Sequence, residues 1–441
     1  DDAMKVLHIT PHLGGGVGRA LSCLIRRAEV GGPVRHALLC LEQPEKRQAI
    51  DAISAAGCPV TVAPTLEEAR AAIDDADIVQ LELWNHPEIP RLLCALGPVS
   101  MRLLAWCHVS GLGGPRIPLG LSGTPAAIIF TSPCSLQGGF PRAAGQQVAV
   151  VSSASVDHLP ALPVRTASAA MSIGYVGTLD FSKLHPDFVD FLADIPDESL
   201  PVHLYGDSTN QEALEVRCRA LGRAPGRSGM LRFHGHVSDI AGELAKLDVL
   251  AYPLNPAHYG TAENALVEAM AMGVVPVVLD NPAERCIVSD GETGLIVRDR
   301  DGFRAALRRL HDNPAERAAM ARRAAEAVRA RYNARVMEEE MNAQYRMLMR
   351  RERAPFDFRT VFGQTPGDWY LSFQPNGDPH VGAPATCEPR KGSVHHFLAK
   401  FPDDPDLRRW ADEALAGRLV AFSPASPRPL RRPGISAGAR P

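Results

Sequence analysis

The sequence predicts an α/β protein with two parallel-sheet domains and a C-terminal appendage, and three observations support this prediction. First, short apolar runs alternate with longer stretches of helical periodicity along most of the 441 residues, which is typical of parallel sheets covered by helices. Second, this alternation stops at 152–170, a segment rich in Ser, Ala, Pro and Thr, and then begins again, as expected for a linker between domains. Third, phenylalanine is concentrated after position 354, beyond the last helical pattern.

The first domain is predicted over residues 4–160. Its first strand is expected at 5–10, a glycine-rich loop at 14–18 and its first helix at 19–29. Short apolar runs predict the other strands of this domain at 37–41, 60–63, 78–83, 103–106, 126–131 and 148–151. Runs of this length, bounded by polar or glycine-containing segments, are typical of buried strands.

The second domain is predicted over residues 171–332. Its strands are expected at 172–176, 202–205, 230–233, 249–252 and 274–279. Helical patterns occur at 210–222, 262–272, 301–312 and 314–330, and one more lies at 333–350. That last helix belongs to the segment 333–353, which joins the second domain to the appendage.

The appendage is predicted over residues 354–421. Seven of the fourteen phenylalanines lie after position 354, together with Trp369 and Trp410, so we expect a packed structure with its aromatic side chains across the domain junction, where they limit its opening. The last residues, 422–441, contain five Pro and four Arg with few apolar residues. This composition predicts a disordered tail.

Composition excludes several classes of function. The net charge is −3 and 22% of the residues are charged, without the basic excess that nucleic-acid binding requires. No apolar run reaches the roughly 18–20 residues of a membrane span, and the N-terminus has no basic region followed by an apolar core, so no signal peptide is expected. Nine cysteines without a Cys-x-x-Cys pair indicate reduced thiols and a cytoplasmic location.

Four glycines occur within residues 14–18. Such a loop lets backbone amides approach a phosphate at a helix N-terminus, but glycine is also common in flexible turns. The dinucleotide-binding pattern Gly-x-Gly-x-x-Gly is incomplete, because Arg19 occupies its third glycine position. The loop alone therefore leaves both interpretations open.

The segment 259–279 is more informative. We expect a helix to begin near Thr261, whose hydroxyl can cap it, and to end at Gly273. The amides of Ala262, Glu263 and Asn264 would then be free first-turn donors. Glu263 and Glu268 lie about 140° apart around the helix axis, so they are not a paired acid and base; they are expected to contact different parts of one elongated ligand. A carboxylate that interacts with the helix dipole remains the alternative for Glu263.

Metal binding is not expected. The acids of the Asp75-Ala76-Asp77 segment directly precede a predicted strand, where acids commonly end the previous helix. His395 and His396 are adjacent in the appendage but have no Cys, His or acidic partner at the spacing of a zinc site.

Several segments together resemble retaining glycosyltransferases of the GT-B fold, similar to glycosyltransferase family 4 (glycosyltransferases group 1). They are 174–183 (GYVGTLDFSK), 203–208 (HLYGDS), 233–237 (FHGHV), 268–278 (EAMAMGVVPVV) and 290–297 (DGETGLIV). The resemblance covers about residues 4–350 and is strongest over 172–297. It implies two Rossmann-like α/β domains that face a cleft, with the acceptor on the N-terminal side and the nucleotide-sugar donor on the C-terminal side.

The resemblance also implies roles for individual residues. Lys183 would neutralise the donor diphosphate, and Glu268 would hold the ribose hydroxyls. The amides at 262–264 would bind the distal phosphate, and His108 would lie near the reacting sugar. The remaining donor-binding positions implied by the matched motifs are Gly15 and Gly16 in the first domain and Gly177, Thr178, Val237 and Thr261 in the second.

Two departures from the family pattern concern the donor. The family usually has a glutamate eight positions before the residue matched by Glu268, and that position is Gly260 here. Glu263 would then take over the contact with the donor sugar, or hold a different hydroxyl. The family also favours arginine directly after the residue matched by Gly177, where this chain has Thr178. An arginine from elsewhere would then complete the phosphate site beside Lys183.

The function implied by the resemblance is sugar transfer from a nucleotide-sugar donor to a hydroxyl of a glycan, lipid-linked or protein acceptor, with retention of anomeric configuration. No cofactor, metal or nucleic acid is expected, and surface polysaccharide synthesis is the implied process. Two alternatives stay open. A non-catalytic subunit of the same fold is favoured by Gly260 and Thr178 but opposed by Lys183, Glu268 and His108, and a nucleotide-sugar epimerase would need acids near the sugar.

The resemblance implies that the helix at 333–353 crosses back to brace the first domain. Four arginines (346, 350, 351 and 353) flank the apolar residues 347–349 near its end. This patch is typical of a solvated helix end, where cations favour the last turn. The alternative is peripheral contact with an anionic membrane surface, which would add the inner face of the membrane to a cytoplasmic location.

Overall fold

The computed structural model describes residues 3–28, 32–44, 47–162, 170–193, 195, 200–207, 210–380 and 391–421. Three parts of the sequence discussed above lie outside the described residues: the tail at 422–441, residues 163–169 of the linker, and Cys387. The described chain is α/β, with two all-parallel sheets and a C-terminal appendage.

The first domain contains a seven-stranded sheet in the order β3-β2-β1-β4-β6-β7-β8. The strands of this half of the chain are β1 Met4–Thr10, β2 Val34–Cys40, β3 Val60–Val62, β4 Ile78–Leu83, β5 Val99–Met101, β6 Leu103–Cys107, β7 Ala127–Phe130 and β8 Val148–Val150. The helices are α1 Gly15–Arg27, α2 Gln48–Ala55, α3 Leu66–Asp75 and α4 Glu88–Ala95, with short 3-10 helices at Leu119–Leu121 and Pro133–Gly138.

The second domain contains a six-stranded sheet in the order β11-β10-β9-β12-β13-β14. Its strands are β9 Ile173–Val176, β10 Val202–Tyr205, β11 Leu231–Gly235, β12 Val249–Tyr252, β13 Val275–Leu279 and β14 Leu295–Val297. Its helices are α5 Phe188–Leu192, α6 Gln211–Ala220, α7 Ile240–Leu244, α8 Asn264–Ala271, α9 Pro282–Arg285, α10 Arg300–Asp312 and α11 Pro314–Arg331, with a 3-10 helix at Gly226–Ser228.

The central strands of both sheets are buried on both faces. Every residue of β4, β6, β12 and β13 is buried. The strands β6, β12 and β13 accordingly appear in the sequence as apolar runs, whereas β4 also buries Gln80 and Glu82. In each sheet the strand order reverses once, between β1 and β4 in the first and between β9 and β12 in the second. Ligands of open parallel sheets bind beyond the carboxyl ends of the strands at such a reversal.

The helix α12 (Ala334–Met349) follows the second domain in the chain but packs on the first sheet. Its buried residues Met337, Met341, Tyr345 and Leu348 form one face at helical spacing. They join the core that contains Trp106 of β6. The helix therefore braces the first domain.

The basic–apolar patch at the end of α12 is largely engaged in the fold. Leu348 is buried, while Met347 is 49% exposed. Arg353 donates hydrogen bonds to the backbone carbonyls of residues 73, 74, 76 and 100. No helix among the described residues is both long and apolar enough to cross a membrane.

The appendage comprises β15 Ala354–Phe356, α13 Arg359–Phe362, α14 Pro366–Ser372, α15 Val394–Lys400 and α16 Pro405–Ala421, with a 3-10 helix at Pro375–Gly377. Strand β15 pairs antiparallel with β5. The buried aromatic side chains Phe358, Phe362, Phe373 and Phe397 join the first-domain core beside Leu92 and Leu93. The expectation that they pack across the domain junction is wrong, because α4 and β5 leave an apolar face of the first domain that the appendage covers.

Several boundaries differ from the sequence prediction. Helix α1 begins at Gly15 rather than at 19, because the glycines of the loop form its first turn. The three-residue strands β5 and β14 were not expected. Helix α8 begins at Asn264 rather than near Thr261, and Thr261 does not cap it. Gly273 ends that helix as expected, with a positive φ of 73°.

Candidate active site

The loops at the two strand-order reversals face each other. A Cβ on Gly16, in the first turn of α1, would lie 2.9 Å from Nδ2 of Asn264, the first residue of α8. The loop after β6 also reaches the second domain, since the backbone N–H of Ser110 donates to the carbonyl of Tyr259 (3.1 Å). The cleft is therefore bordered by the predicted glycine loop on one side and by the loop that precedes α8 on the other.

The hydroxyls of Thr131 and Thr261 share a hydrogen bond (2.6 Å) across the same junction. Thr261 is not the cap of α8, because the helix begins three residues later, at Asn264. A cavity of about 250 Å³ lies beside the Thr131–Thr261 hydrogen bond, with Ala262, Arg331 and Glu340 in its lining.

Glu263 occupies the position immediately before α8 in a left-handed conformation (φ 42°, ψ 58°). This conformation costs a non-glycine residue roughly 1–3 kcal/mol and occurs preferentially at functional sites. Its side chain is buried, and Oε2 accepts a hydrogen bond from the Tyr252 hydroxyl (2.7 Å). Nζ of Lys183 lies 3.2 Å from the same oxygen. Two predicted site residues, distant in sequence, are therefore in direct contact.

Opposite charge governs the protonation of this pair. Burial disfavours the charged form of Glu263, but Lys183, His258 and the Tyr252 hydroxyl outweigh burial and lower the pKa of the carboxyl. Burial likewise acts to lower the pKa of Lys183, and the Glu263 carboxylate reverses this and raises it. Both groups are therefore charged at neutral pH. Oε1 of Glu263 is buried without a hydrogen-bond partner among the described residues.

Gly260 and Glu263 are sterically coupled. A Cβ added at position 260 would overlap Oε1 of Glu263. The Glu263 carboxylate therefore fills the space beside Gly260, the position where the family usually has a glutamate.

Glu268, in the second turn of α8, is also buried and faces the cleft. Its Oε1 accepts a short hydrogen bond from Arg19 of α1, an ion pair that joins the two domains. His158 Nε2 lies 3.2 Å from the same oxygen. Glu263 and Glu268 thus have separate partners, as expected, although Glu263 precedes the helix instead of lying on it.

His108 follows β6 at the carboxyl edge of the first sheet. Its Nε2 donates to Oε2 of Glu82 on β4 (2.6 Å). Glu82 is fully buried, and burial acts to raise its pKa, but hydrogen bonds from His108 and His8 outweigh burial and lower it. His108 is therefore held by a buried carboxylate.

Three of the remaining predicted positions, Gly177, Thr178 and Val237, lie near the carboxyl edge of the second sheet. Gly177 directly follows β9 with φ 148°, where a Cβ would meet the Tyr175 hydroxyl at 2.8 Å. Thr178 is exposed, and its carbonyl accepts from the same hydroxyl (2.8 Å). Val237 is partly buried two residues beyond β11. Gly15 is exposed in the first turn of α1.

The sequence did not identify four residues that hold this site: Arg19, Tyr252, His258 and Glu82. For Arg19 a signal existed, since it interrupts the glycine pattern at the start of a helix. His258 accepts from the Gly260 N–H through Nδ1 (3.0 Å) and contacts Glu284 through Nε2 (3.0 Å). These contacts depend on tertiary structure, and no spacing in the sequence predicts them.

A cluster of one glutamate and two histidines lies between the appendage and the first sheet. The potential ligand atoms of Glu42, His86 and His396 lie within 4.8 Å of one another. These residues come from three distant segments, which is why the sequence spacing around His396 gave no such group.

The proton positions of this cluster disfavour a metal. Nδ1 of His86 accepts the Glu88 N–H (3.1 Å), and Nδ1 of His396 accepts the Gly392 N–H (2.9 Å). Each neutral ring therefore carries its proton on Nε2, whereas a metal-bound histidine usually donates through its second nitrogen. Lys400 also binds the Glu42 carboxylate at 2.6 Å. We interpret the cluster as a polar contact that holds α15 on the first domain.

Comparison with known proteins agrees with this architecture. Residues 170–313, which contain most of the second domain, match the family described as glycosyl transferases group 1. No curated protein matches the chain.

Solved structures match over most of the chain at low identity. HepE from Anabaena, in a structure with UDP and glucose, is 15% identical, with a TM-score of 0.61, and the match covers 78% of this chain and 100% of HepE. Sucrose-phosphate synthase from Thermosynechococcus elongatus is 17% identical, with a TM-score of 0.61 over 79% of this chain and 99% of the synthase. A glycosyltransferase from Rickettsia africae is 10% identical, with a TM-score of 0.62 over 80% of this chain and 100% of that protein.

These likenesses define the class of fold. The chain has the GT-B fold, two Rossmann-like domains that face a cleft. Its second domain carries the match to the group 1 glycosyltransferases.

Proposed function

We propose that the protein is a retaining glycosyltransferase that moves a sugar from a nucleotide-diphosphate donor to a hydroxyl acceptor. One observation carries this proposal. The buried pair of Lys183 and Glu263 lies at the strand-order reversal of the second sheet, in the domain that matches the group 1 family and opposite the loop of His108. A cation and an acid at this point can bind the diphosphate and a sugar hydroxyl of one donor.

The chemistry requires charge stabilisation more than a general base. As the donor bond breaks, negative charge develops on the leaving diphosphate, and Lys183 and the free amides at the start of α8 would stabilise it. The acceptor hydroxyl attacks from the same face, and the diphosphate accepts its proton. This scheme accounts for retention and agrees with the different directions of Glu263 and Glu268. Closure of the cleft would exclude water and limit hydrolysis.

We propose a uridine diphosphate sugar as the first donor to test, because HepE was solved with UDP-glucose. Glu268 would bind the ribose, and Glu263 would bind a sugar hydroxyl through its unpartnered Oε1. The proposed acceptor is a glycan, a lipid-linked sugar or a protein, in surface polysaccharide synthesis in the cytoplasm. No metal is proposed, since Lys183 supplies the cation.

Peripheral membrane contact through the exposed Met347 and the arginines beside it is a secondary proposal, tested by sedimentation with anionic vesicles at low salt.

A donor screen tests the proposed function. Nucleotide release from a panel of nucleotide sugars is measured with and without acceptors, and the anomeric configuration of the product is read by NMR. The proposal expects acceptor-dependent release and a retained configuration, with both lost in Lys183→Ala. Inversion would reject retention. Nucleotide binding without turnover would favour a non-catalytic subunit, and isomerised donor without transfer would favour an epimerase.

A further inference from the structure

A buried polar network converges on Glu82 in the centre of the first sheet. Glu82 is completely buried. Its Oε2 contacts His108 Nε2 at 2.6 Å. Its Oε1 accepts from Gln80 Nε2 at 2.7 Å and lies 3.4 Å from Nδ1 of His8. Three side chains from strands β1, β4 and the end of β6 therefore surround one carboxylate.

The network extends one residue further on two sides. Nε2 of His8 lies 2.8 Å from Nδ1 of His36 on β2. The hydroxyl of Tyr345, on α12, donates to Oε1 of Gln80 (2.5 Å). Both neighbours are buried, so no water is needed to complete these contacts.

A consistent arrangement of protons follows from the ionised Glu82 carboxylate. An ionised carboxylate only accepts hydrogen bonds, so the nitrogens of His108 and His8 that face Glu82 carry hydrogens. Nε2 of His8 then has a lone pair, which accepts the Nδ1 hydrogen of His36. In this arrangement the protons of the network all point towards Glu82.

The remaining nitrogen of His108 is not used by the network. Nδ1 of His108 has no hydrogen-bond partner in the part of the chain that the structure describes, and the residue lies at the carboxyl edge of the sheet. The backbone of Ser110, two residues further on, contacts the second domain. In the neutral ring with its proton on Nε2, Nδ1 offers a lone pair and no hydrogen.

The titration of the neighbouring groups is consistent with this arrangement. The pKa of Glu82 is lowered because the donors from His108 and His8 outweigh its burial. The pKa of His36 lies well below its usual value because of burial and the adjacent His8. Glu82 is therefore ionised at neutral pH and His36 is neutral.

We propose that Glu82 is a positioning residue for the transfer reaction, which fixes His108 as the acceptor of a hydroxyl hydrogen from the bound sugar. This inference rests on the proposed function. A lone pair aimed at the sugar selects a neutral hydroxyl at the facing position and repels a carboxylate. The sugar is therefore one with a hydroxyl there rather than an acid group.

Glu82→Gln reverses the tautomer without removing side-chain volume. The amide of glutamine has one accepting oxygen, which the donors Gln80 and His8 both require. Its NH₂ group then faces His108, whose Nε2 must accept, and the ring proton moves to Nδ1. In the cleft a hydrogen-bond acceptor is replaced by a donor.

The first test measures the tautomer directly. ¹⁵N-histidine NMR of the wild-type protein should give a neutral ring protonated at Nε2, and its loss in His108→Ala assigns the signal. Protonation at Nδ1 in the wild type would overturn the inference, whether or not Glu82→Gln folds. Because this spectrum needs no turnover, an inactive donor screen would reject the proposed function and leave the tautomer result intact.

The second test is a double-mutant cycle in kcat. Glu82→Gln should lower kcat at least about tenfold, the effect of one lost hydrogen bond of about 1.4 kcal/mol, with little change in nucleotide affinity. In the His108→Ala background it should add almost nothing, because Glu82 acts through His108. Tyr345→Phe is the matched control, since it removes one buried hydrogen bond from the same network and should change stability but not kcat. An equal fall in both backgrounds, or an unchanged kcat in Glu82→Gln, would overturn the inference.

Discussion

The carboxylate of Glu263 lies where a side chain at position 260 would begin. Oε1 of Glu263 fills the space beside Gly260, and Oε2 is held by the Tyr252 hydroxyl and Lys183. The Glu263 carboxylate therefore occupies the space that a side chain at position 260 would need. A glutamate at position 260 is incompatible with the observed position of Glu263. We interpret Glu263 as a replacement, three residues further along the chain, for the glutamate that the family usually has at the position of Gly260.

Gly260→Ala should lower stability and turnover, because the added Cβ displaces Glu263 from its partners. The same substitution in a Glu263→Ala background should have little further effect, since the overlapping atoms are gone. Urea unfolding measures the change in stability in both backgrounds. Gly123→Ala is the control, because a Cβ there meets nothing within 4 Å. Additive losses from the two changes would contradict the steric coupling.

Lys183→Ala should reduce transfer at least about tenfold through loss of a charge–phosphate contact. The same substitution should also lower stability. Removing Lys183 leaves the buried Glu263 carboxylate unpaired, which costs about 3–5 kcal/mol in a buried ion pair. Lys183→Ala/Glu263→Gln should recover most of the stability and none of the activity. A Lys183→Ala protein with unchanged unfolding would argue against the pair.

Glu268→Ala should weaken nucleotide binding, whereas Glu263→Gln should change turnover or sugar preference and leave nucleotide affinity nearly intact. The structural reason is that the two carboxylates have different partners, Arg19 for one and Lys183 for the other. Calorimetric titration with UDP and steady-state kinetics separate the two effects. Identical profiles for the two variants would contradict the division.

Acid should weaken the contact between the appendage and the first domain. Burial, with the neighbouring His86, lowers the pKa of His396 to about 4. Between this pKa and the usual value of about 6.5 the unfolded chain binds more protons, so stability is lost as the pH falls through this window. Glu42, Lys400 and Lys391 are the charged groups that face the ring. His396→Gln should flatten the decrease in the urea midpoint between pH 7 and pH 5, and an unchanged slope would exclude His396 as its source.

Truncation after Arg353 should destabilise the protein, because it exposes the first-domain residues that pack against Phe358, Phe362 and Phe397. Truncation after Phe422 should leave the thermal midpoint unchanged. Differential scanning calorimetry compares the two shortened chains with the full one. Equal midpoints for all three would mean that the appendage contributes nothing to the first domain.

Buried parallel strands were predictable from the sequence because their apolar runs need no tertiary information. Strands 78–83, 202–205 and 249–252 match the expected limits. The short strand β5 was not predicted, because it forms by pairing with β15 in the appendage. Local patterns thus determine the sheets, and long-range pairing determines their periphery.

The candidate site was only partly predictable. Family-like segments indicated Lys183, Glu263 and Glu268, but the start of α8 was placed too early because a left-handed glutamate has no signature in the sequence. The contact of Arg19 with Glu268 joins residues 249 positions apart, and the partnership of Glu82 with His108 depends on neighbouring strands. Such contacts follow from topology rather than spacing.

Under the proposed function, the ion pair of Arg19 with Glu268 competes with the nucleotide for the Glu268 carboxylate. A nucleotide that uses the Glu268 carboxylate must first find a molecule in which this link is released, so the apparent affinity falls in proportion to the released fraction. If one molecule in ten were released, binding would weaken about tenfold. Arg19 carries a half-exposed side chain, and salt weakens exposed charge pairs. Ionic strength thus becomes a control of occupancy, which moderate salt would raise by freeing Glu268 before it begins to screen the phosphates.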